Sequence, residues 1–350
     1  MPAYKEKARK TWYVSFRYKT SGGEAKRAFK RGFTSKKEAI SWEQEFLLKE
    51  KNSSSMNFLS LYELYMDDIR VRCRQSSFKS KEYLFKDKIL PFFKARNVSQ
   101  ITPQDVRLWQ NSMMERGYSP TYLKTINNQL SAIFNYGIRF CNLTENPCHK
   151  AGPMGRKCAG EMLFWTTEEF SRFIRCAKNP TEQTGFRILY WTGIRIGEFL
   201  ALTPSDFDFE KQTLTIDKSY QRIDKKDIIT APKTEKGKRV ISIQKALCSE
   251  VASYLNANPG IGPEDRIFPF TRFRFERALN RLCQASGVKR IRLHDIRHSH
   301  ASLLVELGYQ PKLIAERLGH ERIQTTLDTY SHLYPNKQKE VADRLQLLDF

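Results

Sequence analysis

His294-Asp295-Ile296-Arg297-His298-Ser299-His300 places three histidines, an arginine and an aspartate in seven consecutive residues. At helical spacing His294 and Arg297 are i and i+3 and share a face, so together they offer several donors to one oxyanion. A metal reading also exists, because His294 and His298 are i, i+4 with Asp295 where zinc proteases carry Glu. Against it, the acid is short, no third ligand spacing follows, and Arg297 on the same face repels a cation. Downstream, His320 follows a glycine in Leu318-Gly319-His320, and Tyr330 closes a polar run. Tyr330 is either amphipathic surface or a nucleophile. Upstream lies Thr192-Gly193-Ile194-Arg195-Ile196-Gly197-Glu198. There Arg195 sits between two isoleucines, either as a guanidinium aimed at phosphate and supported by Glu198 or as a structural ion pair. Between them, Ala231-Pro232-Lys233-Thr234-Glu235-Lys236-Gly237-Lys238-Arg239 reads as a basic loop joining two strands. A lysine on such a loop can protonate a leaving oxygen, whereas Lys236 and Lys238 fit a solvated hairpin tip.

The surrounding unit, 161–350, starts a helix at Thr166/Thr167 followed by Glu168-Glu169. Gln212 to Asp217, Ile228 to Ala231 and Arg239 to Ile243 read as short strands, and from Phe268 the pattern is helical. The end, Asn336 to Phe350, is amphipathic, with Val341, Leu345 and Leu348 at i, i+4, i+7. That stripe packs on its own domain or docks on a neighbouring copy, and docking is the favoured reading. Residues 149–160 (HKAGPMGRKCAG) read as a flexible basic linker. Before it, 57–147 reads as an all-helical domain. Phe58, Leu61, Tyr62, Tyr65, Met66 and Ile69 form one stripe, and Leu123, Ile126, Leu130, Ile133, Phe134 and Gly137 form another. Thr102-Pro103-Gln104-Asp105 and Ser119-Pro120 are helix starts. Lys51 to Ser55 reads as a linker. Residues 1–50 read as a small sheet with one helix. Trp12, Val14, Phe16 and Tyr18 alternate along a first strand, Glu24 to Phe33 is a second, and Ser35 with Glu38 forms a capping box. Residues 1–37 carry twelve Lys/Arg against two acidic residues, Glu6 and Glu24. This basic ribbon suits a DNA groove.

Composition agrees. The chain of 350 residues has 60 Lys+Arg against 38 Asp+Glu, a net charge of +22, which favours a polyanionic partner. It is 40% hydrophobic and 12% aromatic, enough for packed cores. No apolar run is long enough to span a membrane, and the basic N-terminus has no apolar core of a secretory signal. Seven scattered cysteines with no C-x-x-C argue for reduced thiols and against a disulfide framework or zinc finger. A multidomain protein of the cytoplasm, bound to DNA, is expected.

Together the four polar segments form an inventory for phosphoryl transfer without a metal or cofactor. Two guanidiniums stabilise a five-coordinate phosphorus, a lysine protonates the leaving oxygen, a histidine handles the nucleophile's proton and a tyrosine attacks. In order and approximate spacing, TGIRIGE, PKTEKGKRVI, HDIRHSHAS and LGHERIQTTLDTYSH resemble the tyrosine recombinases, specifically the integrases of temperate phages and integrative transposons of Gram-positive bacteria. The resemblance covers all of 161–350, and the two preceding units resemble the family's arm-binding and core-binding domains.

The resemblance implies three domains: an arm-binding sheet plus helix (1–50), an all-α core-binding domain (57–147), and a mainly-α catalytic domain with a small antiparallel sheet (161–350). It implies Arg195 and Arg297 as catalytic arginines, Lys233 as general acid and Glu198 as support for the first arginine. His294 and His320 would bind the scissile phosphate and shuttle the proton. Tyr330 would form a covalent 3′-phosphotyrosine and release a 5′-hydroxyl. The partners implied are double-stranded DNA at core and arm sites, three further copies in a tetramer held through the C-terminal tail, an excision directionality factor and a host DNA-bending protein. Three other readings use the same fold or chemistry: a dimer-resolving recombinase, a type IB topoisomerase, and a site-specific DNA-binding regulator without catalysis.

Overall fold

The computed structural model describes residues 3–6, 11–19, 25–53, 56–157, 162–232 and 234–333. The chain divides into two compact units, Met1–Ala159 and Gly160–Phe350. Within the first, the N-terminal sheet and the helices that follow have separate apolar cores.

The sheet has three antiparallel strands, β1 (Ala3–Glu6), β2 (Thr11–Lys19) and β3 (Ala25–Phe33), in that order. The sequence reading had two of them; β1 is too short to carry a periodic signal. Alternation holds. Val14 and Phe33 are buried, with Trp12 and Phe16 packed beside them, against Ala39, Ile40 and Trp42 of α1 (Lys36–Ser53). The opposite face carries Tyr13, Phe29, Arg27 and Arg31, and Phe29 is 59% exposed. The Ser35 hydroxyl caps α1 by accepting from Glu38 N at 3.1 Å. The Glu38 carboxylate accepts from the Ser35 backbone, and from Thr34 N at 2.9 Å and Thr34 Oγ1 at 2.7 Å as well. Helix α1 continues through Ser53, into the stretch read as linker.

The helical part contains α2 (Phe58–Arg72), α3 (Gln75–Leu84), α4 (Leu90–Phe93), α5 (Pro103–Met114), α6 (Pro120–Phe140) and α7 (Pro147–Ala151), with one π-helical segment between α3 and α4. Both predicted stripes are core. Thr102 and Asp105 close the capping box of α5, and Ser119 caps α6. Residues 149–157, read as flexible linker, are packed instead. Met154 is buried in the helical core, Gln110 Nε2 donates to Gly152 O at 2.9 Å, and a Cβ on Gly155 would lie 2.1 Å from Pro120 O. Glycine here serves both the close approach and a left-handed backbone, with φ +75°.

The second unit contains α8 (Thr167–Arg175), α9 (Pro180–Thr192), α10 (Ile196–Phe199), β4 (Phe207–Asp208), β5 (Thr213–Ile216), β6 (Ser219–Ile223), β7 (Lys226–Thr230) and β8 (Arg239–Ser242). Helices α11 (Lys245–Asn256), α12 (Arg272–Ser286), α13 (Asp295–Glu306), α14 (Pro311–Leu318) and α15 (Ile323–Tyr330) follow. The strands form two antiparallel sheets, β4-β5-β8 and the hairpin β6-β7. The basic loop 231–238 therefore joins strands of different sheets and is not a hairpin tip. The main core lies under α8, α9, α11 and α12. A second, small cluster of Ala301, Leu304, Val305, Ile314, Leu318 and Tyr330 joins α13, α14 and α15. That cluster holds the Tyr330 ring, whose burial contributes about 2 kcal/mol.

Candidate active site

Two helix ends organise the site. Helix α9 stops at Gly193 in the left-handed region (φ +64°), and a Cβ there would come within 2.5 Å of the His300 ring. The chain then turns into α10, whose first N–H, at Arg195, donates to Glu198 Oε2 at 2.9 Å. Helix α14 stops at Gly319 (φ +68°), and its final carbonyls point out of the helix without intrahelical partners.

Three arginines take those carbonyls in succession. Arg239 Nε donates to Arg317 O at 2.8 Å, Arg297 Nη2 to Leu318 O at 2.6 Å, and Arg195 Nη2 to Gly319 O at 3.0 Å. Arg297 Nη1 also donates to Gly193 O at 2.9 Å, so this one side chain ties the ends of α9 and α14 together. A helix C-terminus carries partial negative charge, which favours cations there. Arg297 is only 3% exposed, and burial together with the Arg195 charge pulls its pKa below the usual arginine value. Glu198, also 3% exposed, supplies the counter-charge. Its carboxylate accepts from Arg195 Nη1 at 2.7 Å and from Arg239 Nη2 at 2.9 Å. Burial raises the Glu198 pKa, but the hydrogen bond and charge of Arg239, with the charge of Arg195, outweigh it and the net shift is downward.

The histidines divide by environment. His294 stands at the N-terminal boundary of α13 without a side-chain capping hydrogen bond and stays exposed, and partial desolvation and the Arg297 charge lower its pKa. His320 is held by a 2.8 Å hydrogen bond between Nδ1 and the fully buried Thr326 hydroxyl, and desolvation together with Arg297 and Arg195 lowers its pKa to about 3. His298 Nδ1 lies 2.7 Å from the Tyr330 hydroxyl, and desolvation with the neighbouring His294 lowers its pKa to about 4. Tyr330 is 1% exposed, and burial pushes its pKa up to about 12 against the opposing pull of Arg297. At neutral pH the phenol is protonated and His298 is neutral, and with the ring proton on Nε2 the phenol donates to Nδ1.

Arg195, Glu198, Arg297 and His320 thus converge around the end of α14, and Tyr330 reaches this group through His298. Lys233 and the tail Asn336 to Phe350 lie outside the described residues. In the Lys233 loop, Lys236 Nζ donates to Glu321 O at 3.1 Å, which fastens the loop to the turn after His320. The sequence reading missed Arg239, His298 and Thr326 as site residues. All three stand inside the quoted motifs, but their partners are distant in sequence. Among the described residues no group of three His, Cys, Asp or Glu could hold a metal ion, and no helix is long and apolar enough to cross a membrane.

Comparison with known proteins places this geometry. The model of the phage integrase family matches residues 164–337. A phage integrase N-terminal SAM-like domain matches 57–114, and an arm DNA-binding domain matches 2–49. The ICEBs1 integrase of Bacillus subtilis is 33% identical over 316 residues, which cover 85% of this chain and 84% of that one. The chain belongs to the phage integrase family. This integrase-family protein is a site-specific tyrosine recombinase of the mobile-element type. A XerC-like tyrosine recombinase of Caldanaerobacter subterraneus is 24% identical over 348 residues, 89% of each chain. The fold is that of the Tn1549 transposon integrase solved with a circular intermediate DNA (TM-score 0.71, 20% identity, 84% of this chain and 100% of that one). It is also that of a lambda integrase tetramer bound to a Holliday junction (TM-score 0.60, 17% identity, 92% of this chain and 96% of that one).

Proposed function

We propose that this recombinase cleaves double-stranded DNA by attack of the Tyr330 hydroxyl on a backbone phosphorus, forming a 3′-phosphotyrosine and releasing a 5′-hydroxyl. The observation that carries the assignment is the gathering of Arg195, Arg239 and Arg297 on three successive carbonyls of α14, with Tyr330 and His298 beside Arg297. Arg195 and Arg297 hold the non-bridging oxygens as charge grows on phosphorus. Both guanidiniums are already oriented by the carbonyls, so little reorganisation is needed when phosphate arrives. Arg239 is spent on Glu198 and on carbonyls and serves as a strut. With Nδ1 of His320 turned to Thr326, its Nε2–H is left to donate to the phosphate, and His294 adds a donor from the exposed side. Lys233 protonates the departing 5′ oxygen. The phosphodiester energy is kept in the covalent link, so no ATP is needed to rejoin the strands.

The three-part division into residues 1–50, 57–147 and 161–350 serves this reading. The exposed face of the N-terminal sheet, with Tyr13, Phe29, Arg27 and Arg31, takes an arm site, and the helical part and the catalytic part each contact the core site. Two rounds of exchange need four active sites, so the working form is a tetramer on two duplexes, with the C-terminal tail lent to a neighbour. An excision directionality factor and a host DNA-bending protein complete the assembly, and the protein works on DNA in the bacterial cytoplasm. The test is a suicide substrate nicked beside the scissile phosphate. A chelator-resistant protein–DNA adduct forms with the wild type and is absent with Tyr330→Phe; an adduct that survives in Tyr330→Phe refutes the assignment.

A further inference from the structure

We propose that His298, not His294 or His320, receives the Tyr330 proton during cleavage and returns it during rejoining. This inference rests on the Tyr330 reading above. Geometry separates the three rings. His320 has Nδ1 committed to Thr326, and the His294 ring is edge-on to the His298 ring with centroids 5.1 Å apart. Only His298, among the described residues, hydrogen-bonds the Tyr330 hydroxyl, at 2.7 Å. Its backbone is fixed on the first turn of α13, next to Arg297, and the ring is partly buried. A proton acceptor in contact with the nucleophile's oxygen is the arrangement general-base catalysis requires.

The step balances. The Tyr330 O–H bond breaks as the O–P bond forms, and the proton moves to His298 Nδ1. The P–O5′ bond breaks and the leaving oxygen takes its proton from the general acid. In rejoining, the 5′-hydroxyl displaces the tyrosine oxygen and the imidazolium returns its proton. The resting ring is a weak base because it is desolvated and faces His294, Arg297 and Arg292, with Asp295 as the opposing acid. Tyr330 approaches it from α15, and the His320 ring on the intervening turn also lies within its field. A bound phosphodiester adds negative charge beside this cluster and grows more negative in the transition state, which favours the imidazolium. The base is therefore strengthened when substrate is in place.

The experiment measures single-turnover adduct formation on the nicked substrate between pH 7 and pH 9.5, with His298→Ala, His298→Gln and the wild type. DNA affinity and thermal unfolding are recorded for each, and Gln preserves the size of the side chain if Ala fails to fold. His298→Gln is expected to slow adduct formation by about a hundredfold at pH 7. The deficit shrinks about tenfold per pH unit, because hydroxide then makes the tyrosinate that the ring no longer makes. A substrate with a 5′-bridging sulfur, whose leaving group needs no proton, rescues Lys233→Ala but not His298→Gln. A deficit that is constant across pH, rescue of His298→Gln by the sulfur substrate, or faster cleavage without the ring, as removal of a resting latch gives, each overturns the proposal. Failure of the wild type to form any adduct instead overturns the Tyr330 reading, so the two failures are distinguishable.

Discussion

Replacing Glu198 by Gln tests whether the arginine cluster depends on one buried carboxylate. The substitution keeps shape and one acceptor oxygen but removes the charge between Arg195 and Arg239. The Arg239 side chain is 7% exposed and, among the described residues, has no other acid within ion-pair distance, whereas Arg195 is 39% exposed and water can compensate it. The loss is therefore dominated by Arg239. Removing one partner of a buried pair costs about 3–5 kcal/mol. For a unit of this size, each kcal/mol lowers Tm by about 2–4 °C, so Glu198→Gln should melt roughly 6–20 °C below wild type. The same variant should lose adduct formation on the nicked substrate, because Arg195 and the strand β8 that carries Arg239 lose their common anchor. The pH dependence supplies a second check. The folded-state pKa of Glu198 is depressed, so its contribution is complete above the ordinary carboxylate pKa and disappears as pH falls through the depressed value. The gap in Tm between variant and wild type should close in acid. A gap below about 3 °C at pH 7, or one that does not close in acid, refutes the argument.

Gly319→Ala places a Cβ 2.8 Å from Arg239 Nη1 and 2.9 Å from Lys236 O, at a left-handed φ of +68°. The backbone term alone costs about 1–2 kcal/mol, and a lowered melting point with reduced cleavage is expected; an unchanged melting curve counts against the turn's role. Thr326→Val removes the hydroxyl that holds His320 and should slow adduct formation roughly fivefold to tenfold, the rate equivalent of about 1–1.5 kcal/mol, while Thr326→Ser restores it. Equal rates in the Val and Ser variants would show that His320 is oriented otherwise. Binding to DNA should fall steeply with salt, by about 0.9 in log affinity per log unit of salt for each phosphate contact; a flat titration removes the electrostatic basis of binding.

Much of this molecule is local and can be read along the chain. The capping boxes at Thr102 and Thr166, the apolar stripes of α2 and α6, and the alternation of β2 depend on residues a few positions apart. The candidate site residues were legible for the same reason, since Arg195 with Glu198, His294 with Arg297, and His320 before Tyr330 stand in short motifs. The partners of those residues were not legible. Pairing of β8 with β5 rather than β7 joins residues that are distant in sequence, and β4, with two residues, is too short to announce itself. The linker reading of 149–157 failed because composition cannot reveal that Gly155 lies against the start of α6.

The order of residues by itself determined the three-part layout and the basic character of the chain, and it supplied the candidate residues of the site. Only the tertiary structure decided that Arg195, Arg239 and Arg297 meet on three neighbouring carbonyls, and that of three histidines it is His298 that touches Tyr330. The physical reason is that a helix leaves its last carbonyls unpaired wherever it ends, and which distant donors satisfy them is settled by packing of α9, α13 and α14, not by any pattern along the sequence.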